Sequence, residues 1–323
     1  MKAAFYCVSD ERYFLGAVGL INSLRLVGHT EPIYLLDCGL TEAQRELLAG
    51  EVELVDAPAP ATPPWLLKTH APRVRSSEVT VLVDTDMIVT KPLTPLIERA
   101  AAGHTVAFKD RQQRYCDGWG ELLGLGASSP GPYVSSGLVF FGPESGREIL
   151  ELLDERQRRV DFELTFWRQN VRDYPFRYAD QDVLNAILST RADSQLEALD
   201  EQLAATPPFR GLRITNHRTL ACAYRDETEP YVLHQYVRKP WLEATYNGVY
   251  SQLLRRLLVA GDTAVRPAEE TLPLRMRTGG RARAERARIN AVDFLRWHLG
   301  DRLPQPIANR VEDLRRLRAA DAP

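Results

Sequence analysis

Short apolar runs alternate with segments of helical period along the first part of the chain. Ala3–Val8, Pro32–Leu36 and Val52–Val55 read as strands, each bounded by polar or turn-forming residues. After the first of them, Phe14, Val18, Ile21 and Leu24–Leu26 recur at about the helical period. Thr41 and Gln44 form a capping-box pair, Thr-x-x-Gln, that opens a short helix ending near Gly50. A Pro-rich loop follows through Pro64, and Trp65–Val74 is predicted helical with a break at Pro72. Val79–Val83 is mostly apolar and β-branched, the pattern of a buried parallel strand. Strands and helices alternating at this spacing predict a doubly wound α/β sheet.

Beyond this point the order changes. Thr105–Lys109 and Leu138–Phe141 are predicted strands, separated by a polar, aromatic-bearing loop from Asp110 to Tyr133 with Gly, Pro and Ser crowded into Gly124–Pro132. A loop of that length in a compact domain is usually functional or mobile. Ser145 and Glu148 are expected to cap a helix carrying Ile149, Leu150 and Leu153. Another helix starts around Asp180 with Val183, Leu184, Ile187 and Leu188 as its buried stripe. From Tyr246 the chain is mostly helical and Arg-rich, interrupted by Pro267, Pro273 and Gly279-Gly280. The expected organisation is an α/β domain over 1–245 and a helical extension over 246–323, with no internal repeat.

Composition is that of a globular protein with a sizeable core. Its one asymmetry is in the tail: Val265–Pro323 carries 13 Arg and no Lys against 8 acidic residues, in a chain of net charge −2. A basic tail on an acidic remainder does not describe a nucleic-acid-binding core. The N-terminus goes straight into a strand with no signal-peptide pattern, and no run of about 18 apolar residues predicts a membrane span. Cys7, Cys38, Cys116 and Cys222 show no CxxC spacing, which fits a reducing cytoplasm and no structural zinc.

Four segments carry candidate chemistry. Asp84-Thr85-Asp86 leaves the Val79–Val83 strand, and alternation along an extended chain would aim both carboxylates at one point. At the carboxyl end of a buried strand, where α/β sheets bind ligands, such a pair suits a hard cation. A capping role would explain one carboxylate, not two. Val8–Tyr13 leaves the first strand, where a helix N-terminus can take a nucleotide and an aromatic can stack on a base; Tyr13 as an ordinary half-buried aromatic is the plain alternative. Ala179-Asp180-Gln181-Asp182 opens a helix, where dipole and capping alone would favour carboxylates. His234 lies on a strand ahead of Lys239-Pro240-Trp241; with the two carboxylates it makes a ligand set for manganese or a similar divalent cation, and the lysine would meet a phosphate. His29, His70, His104, His217 and His298 lack such company and read as structural.

The order of these segments, with Ser135-Ser136-Gly137 between them, resembles glycosyltransferase family 8, the glycogenin-like and bacterial galactosyltransferase-like enzymes, over roughly residues 3–243. The resemblance implies a GT-A type Rossmann-like mixed sheet with helices on both faces. It also implies transfer of a hexose from a UDP-sugar with retention, using Mn²⁺ or Mg²⁺. Position by position, Asp84, Asp86 and His234 look like the metal ligands, and Asp180 with Gln181 like the pair at the reacting sugar. Ser9 and Asp10 look like nucleoside contacts, Tyr13 like the uracil-stacking aromatic, and Lys68 like the basic residue near the donor. Asp110 sits where a donor-sugar carboxylate is expected, Ser135 and Ser136 match an Asn-Ser pair, and Lys239 matches the diphosphate lysine. The chain departs from the pattern at Ser135, usually Asn, and at Asp182, usually Gly. The His234–Lys239 spacing is also one residue short and lacks a Gly, which points to a divergent branch whose sugar does not carry over.

Two other readings stand beside this one. A nucleotide-sugar binder without catalysis would keep the same site. DTDMIV superficially resembles the DxDx(T/V) start of haloacid-dehalogenase-type phosphatases, though no later Lys and Asp-Asp cluster follows. The Arg-rich tail, with Phe294, Leu295, Trp297, His298, Leu299, Leu314 and Leu317 supplying apolar stripes, suits either a tether to an anionic membrane at its inner face or an extension packed on the domain or on a second copy of the chain.

Overall fold

In the computed structural model, residues 2–58, 63–191, 195–245 and 248–299 are described. The side chains of 293–299, and Leu314 and Leu317, lie outside the described residues, so the predicted apolar stripes of the tail do as well.

The chain enters as β1 (Ala3–Ser9), α1 (Phe14–Leu26), β2 (Ile33–Asp37), α2 (Glu42–Leu48) and β3 (Glu53–Asp56). Thr41 caps α2 with both halves of the capping box formed. The Trp65–Val74 helix predicted as one piece is two: a 3-10 turn over Pro64–Leu67, then α3 (His70–Val74). Its break falls at Lys68-Thr69. Pro72 sits in the first turn of α3, where its missing N–H had no intrahelical partner to lose.

β4 (Val79–Val83) and β5 (Met87–Val89) flank the Asp84-Thr85-Asp86 turn, and α4 (Thr94–Ala101) and β6 (Thr105–Lys109) follow. The Asp110–Tyr133 loop contains one short helix, α5 (Trp119–Leu122). β7 (Val134–Phe141) starts four residues earlier than its apolar run, so Ser135–Gly137 lie inside it. Serines on its cavity side had hidden the strand from a hydrophobicity reading.

α6 (Ser145–Arg156) opens on Glu144 with no side-chain cap; the Ser145 hydroxyl donates to the Gly103 carbonyl instead. α7 (Asp180–Ser189) and β8 (Leu196–Leu199) come next. Small strands β9 (Ala204–Ala205), β10 (Arg213–Asn216), β11 (Ala221–Ala223) and β12 (Val232–His234) lead to α8 (Gly248–Val259) and α9 (Gly279–Leu299). Gly279-Gly280, expected as an interruption, opens α9, with Gly279 in the left-handed region.

Among the described residues, seven strands form a mixed sheet in the order β3-β2-β1-β4-β7-β6-β8. β4 runs parallel to β1 but antiparallel to β7. Alternation along each strand sends side chains to two cores. Phe5, Cys7, Val81, Phe108 and Phe140 face one, with α1, α4 and α8 on them. Tyr6, Leu82, Ala107 and Phe141 face the other, covered by α5, α6 and α7. The apolar stripe of α7, Val183, Leu184, Ile187 and Leu188, is buried there.

α8 is fixed to α1 by more than apolar contact. The buried Asn22 amide donates to the carbonyls of Leu257 (2.9 Å) and Val265 (2.8 Å), and its oxygen accepts the Val265 N–H (2.8 Å). Leu253, Leu254, Leu257, Val265, Leu272 and Met276 are buried in the core of α1.

A second small sheet, β5-β12-β9, positions the site. β12 pairs antiparallel with β5, setting His234 opposite Met87 and therefore beside Asp86.

Candidate active site

The two carboxylates converge through a turn, not through strand alternation as the sequence had suggested. β4 ends at Val83, and the Met87 N–H closes the turn on the Asp84 carbonyl. The Asp84 N–H donates to the Gly137 carbonyl (2.8 Å), tying the turn to β7. Asp84, Asp86 and His234 offer ligand atoms that all lie within 4.8 Å of one another. His234 Nε2 is 3.2 Å from Asp86 Oδ1 and 3.7 Å from Asp84 Oδ2. Asp86 Oδ1 is nevertheless a buried oxygen with no aligned hydrogen-bond partner, lying between the His234 ring and the second carboxylate. One nitrogen and two carboxylates around such an orphaned oxygen fit a divalent cation.

Gly137 makes room for this cluster. A Cβ there would lie 2.7 Å from Met87 Cε, 2.8 Å from His234 Cε1 and 3.1 Å from Asp84 Oδ2. Gly16 does the same one layer out, where a Cβ would stand 2.7 Å from the Thr85 carbonyl and 2.8 Å from the Trp241 ring.

Two lysines serve the carboxylates. Lys239 donates to Asp86 Oδ2 and to the Gln235 carbonyl. Lys68 lies 2.7 Å from Asp84 Oδ1 and 3.0 Å from Asp180 Oδ2, joining the turn to the start of α7. Burial opposes every charge here, and the partners decide the outcome. For Asp86, His234 and Lys239 outweigh burial and hold the carboxyl well below the usual range. For Asp84, burial and the Asp86 charge prevail over Lys68, and the group is raised. Lys68 is raised, the charges of Asp180 and Asp84 outweighing the desolvation that lowers it.

Asp180 and Gln181 form the first turn of α7. The Gln181 amide donates to Asp110 Oδ2 (3.1 Å), and its oxygen accepts the Ser136 N–H (3.4 Å). The Ser135 hydroxyl accepts the Gly137 N–H (3.2 Å). Asp182 faces away from the cavity and is fully buried. It accepts the Tyr133 hydroxyl and the Tyr178 N–H, each at 2.7 Å, with Arg114 Nε at 3.2 Å. Arg114 also donates to the carbonyls of Tyr174 and Pro175, so one buried carboxylate pins the Asp110–Tyr133 loop and the segment before α7 to the helix that carries Asp180.

At the other end, Asp10 Oδ1 accepts the Tyr13 N–H (2.9 Å), and the buried Ser9 hydroxyl donates to the Asp10 carbonyl. Tyr13 packs edge-on against Trp241, with Lys239 Nζ 5.8 Å from its ring centre. The Trp241 indole donates to the Arg12 carbonyl (2.8 Å), closing the tail of the motif over the first helix.

All of these lie on one cavity of about 990 Å³: Ser9, Asp10, Tyr13, Lys68, Asp84, Asp86, Asp110, Ser135, Ser136, Asp180, Gln181, His234 and Lys239 line it together. The sequence reading had missed Tyr236, two residues beyond His234, and Phe166 and Trp167, which share the lining. Only the i+2 spacing from His234 signalled Tyr236. A second concavity of about 750 Å³, between α3 and α6, holds none of these residues.

No family model and no curated protein matches this chain. Solved structures do. The galactosyltransferase LgtC, in complex with donor and acceptor sugar analogs, is similar with a TM-score of 0.50 at 17% identity, over 81% of this chain and 98% of that one. The bifunctional glycosyltransferase WbbM gives 0.50 at 16%, and the glycosyltransferase GlyE of Streptococcus pneumoniae 0.51 at 19%. This chain spans 50% of WbbM and 61% of GlyE. The fold is the GT-A fold of these glycosyltransferases.

Proposed function

We propose that this protein is a metal-dependent, retaining glycosyltransferase that moves a hexosyl group from a nucleotide sugar, a UDP-hexose, to a glycan, lipid-linked or small-molecule acceptor. The observation that carries the reading is the convergence of Asp84, Asp86 and His234, with Lys68 and Lys239, at the carboxyl edge of β4 in a GT-A fold. A Mn²⁺ or Mg²⁺ ion held by those three residues would neutralise charge on the donor diphosphate.

The chain's own groups do the rest. Tyr13 offers a face to the base, and Ser9 and Asp10 lie where the nucleoside would be held. Lys239 stands ready to turn from Asp86 to a phosphate oxygen, where charge develops as the donor bond breaks. Asp180 and Gln181 flank the sugar, Lys68 setting the position of the first and Asp110 that of the second. An anionic carboxylate at that point stabilises the oxocarbenium character of the reacting carbon. The acceptor hydroxyl oxygen bonds to the anomeric carbon, and the sugar–phosphate bond breaks with its electron pair on UDP. The hydroxyl proton leaves through the departing phosphate.

The first experiment is a thermal-shift screen of UDP, GDP, CDP, dTDP and ADP, each with MnCl₂ or with EDTA. Ligand at 100 times its Kd stabilises the fold by about 2.7 kcal/mol. A UDP shift that needs Mn²⁺ and vanishes in His234→Ala supports the proposal; a shift with a different nucleotide alone removes the UDP donor. One observation favours a second reading, a nucleotide-sugar binder without turnover. Lys68 and Lys239 already compensate both carboxylates of the turn, so the site has counter-charges of its own. UDP binding indifferent to EDTA, with no donor hydrolysis, would select that reading. The phosphatase alternative finds no support in this fold.

Among the described residues no helix is long and apolar enough to cross a membrane. A cytoplasmic protein meeting an anionic inner membrane face through its Arg-rich tail, or pairing with a second copy through it, belongs to the same proposal. The full-length chain should sediment with phosphatidylglycerol vesicles and not with phosphatidylcholine vesicles. Equal retention on both ends the tether idea.

A further inference from the structure

The cavity has more wall than a nucleotide sugar accounts for, and that wall is aromatic. Between α6 and α7 the chain folds back on itself. The Phe166 N–H donates to the Arg177 carbonyl (2.8 Å), and the Asn170 N–H donates to the carbonyl of buried Thr165 (2.8 Å). This hairpin presents Phe166 and Trp167 edge-to-face, ring centres 5.2 Å apart, and Phe166 beside Tyr178 at 5.8 Å. Arg177 backs the group, its guanidinium 5.7 Å from the Phe166 ring and 5.4 Å from the Tyr178 ring, and is itself held by Asn170. The rings are therefore set in place, yet Phe166 and Trp167 are 41% and 51% exposed.

Leaving such rings open to water forfeits burial that stabilises a fold, and a concave aromatic patch edged by polar groups is the usual form of a ligand site. Its position follows from contacts already described. Gln181 touches Asp110, and the Tyr178 hydroxyl donates to Gln112 Oε1 (2.9 Å) on the same loop as Asp110. Tyr236, 43% exposed, packs edge-on against His234 at 5.8 Å and lines the same cavity as Asp110. The aromatic wall thus begins immediately beyond the groups assigned to the donor sugar.

We propose that Phe166, Trp167, Tyr178 and Tyr236 form the acceptor subsite and that it takes a pyranose ring, making the acceptor a saccharide. This rests on the glycosyltransferase reading above. A pyranose has an apolar C–H face and a rim of hydroxyls. The rings offer flat apolar faces, and Gln112, Arg111 and Asp110 beside them offer donors and acceptors at the rim. A lipid chain would need a continuous aliphatic channel; here carboxylates, amides and guanidinium groups interrupt the apolar lining.

Saturation-transfer NMR tests this on the protein with UDP and diamagnetic MgCl₂ present. The probes are methyl glycosides of glucose, galactose, mannose and N-acetylglucosamine, with cyclohexanol and decyl phosphate as apolar controls. Saturation of the ring C–H protons of at least one glycoside is expected. It should fall about fivefold or more in Trp167→Ala and in Tyr236→Ala, and much less in Trp167→Phe. Trp167→Ala, remote from the metal ligands, should keep the wild-type UDP thermal shift. No glycoside signal in a wild-type protein that binds UDP would overturn the subsite and leave the donor reading standing. So would a signal that both alanine variants retain, or saturation of decyl phosphate or cyclohexanol alone. A Trp167-dependent glycoside signal in a protein that never binds a nucleotide would uphold the subsite and remove the transferase instead.

Discussion

Lys68 reaches Asp180 across 112 positions of sequence, its ammonium 3.0 Å from the carboxylate, while also meeting Asp84 at 2.7 Å. One cation therefore ties the turn at the end of β4 to the first residue of α7. Without it, two carboxylates of the site would face each other uncompensated. Lys68→Met is expected to slow UDP-hexose hydrolysis by about 100-fold, the size of losing one preorganised electrostatic group. Lys68→Arg should recover part of the rate. Hydrolysis by the methionine variant at the wild-type rate would show that the lysine serves the fold alone.

Gly137 is the tightest point beside the candidate metal ligands. Gly137→Ala would place a methyl 2.8 Å from His234 Cε1, and relieving such overpacking typically costs about 1–3 kcal/mol. Because the methyl crowds both His234 and Asp84, the cost should appear in metal affinity, as a Mn²⁺ Kd raised about tenfold. Electron paramagnetic titration of free Mn²⁺ measures it directly. An unchanged Kd would mean that His234 does not hold the ion.

Asp37 offers a pH test remote from the site. Burial pushes its carboxyl up, but Arg45 at 2.6 Å and the N–H groups of Gly39 and Leu40 outweigh that and lower it. A depressed carboxylate contributes stability above its unfolded value, about 3.9, which is lost as pH falls through the folded value. Asp37→Asn should therefore lower the urea midpoint at pH 7. The gap from wild type should close on acidification below about pH 4. A gap that stays constant down to acid would show that the charge contributes nothing.

Asn22 fixes the segment after α8 to α1 through three buried hydrogen bonds. Asn22→Ala leaves two carbonyls and one N–H without partners, each costing about 1–3 kcal/mol. A loss of about 3 kcal/mol or more is expected from urea unfolding. A loss under about 1 kcal/mol would mean that the segment beyond Val259 is only loosely joined to the domain.

Much of this was legible in residues with strong local signals. The strands at Ala3, Ile33 and Val79, the Thr41–Gln44 box and the stripe of α7 follow from periodicity and capping chemistry, which tertiary packing did not override. The start of β7 was not legible, because Ser135 and Ser136 carry no apolar pattern where the strand borders a cavity. Ser145 was misread as a cap because its hydroxyl found a carbonyl elsewhere in the fold. That Asp84 and Asp86 converge was legible, but the reason was not: the turn closed by Met87, and not strand alternation, brings the groups together. Phe166 and Trp167 gave no signal, since an exposed aromatic differs from a core one only in what surrounds it.

β12 supplies the last member of the Asp84–Asp86–His234 cluster from far along the chain, and it does so as the middle strand of a three-stranded patch. During synthesis β1 through β4 can emerge and begin to pair while the cluster still lacks its nitrogen. A polypeptide stopped just short of His234 carries all seven strands of the large sheet but only two of the three candidate ligands. The three-residue cluster is then completed in one late step, once synthesis has passed His234.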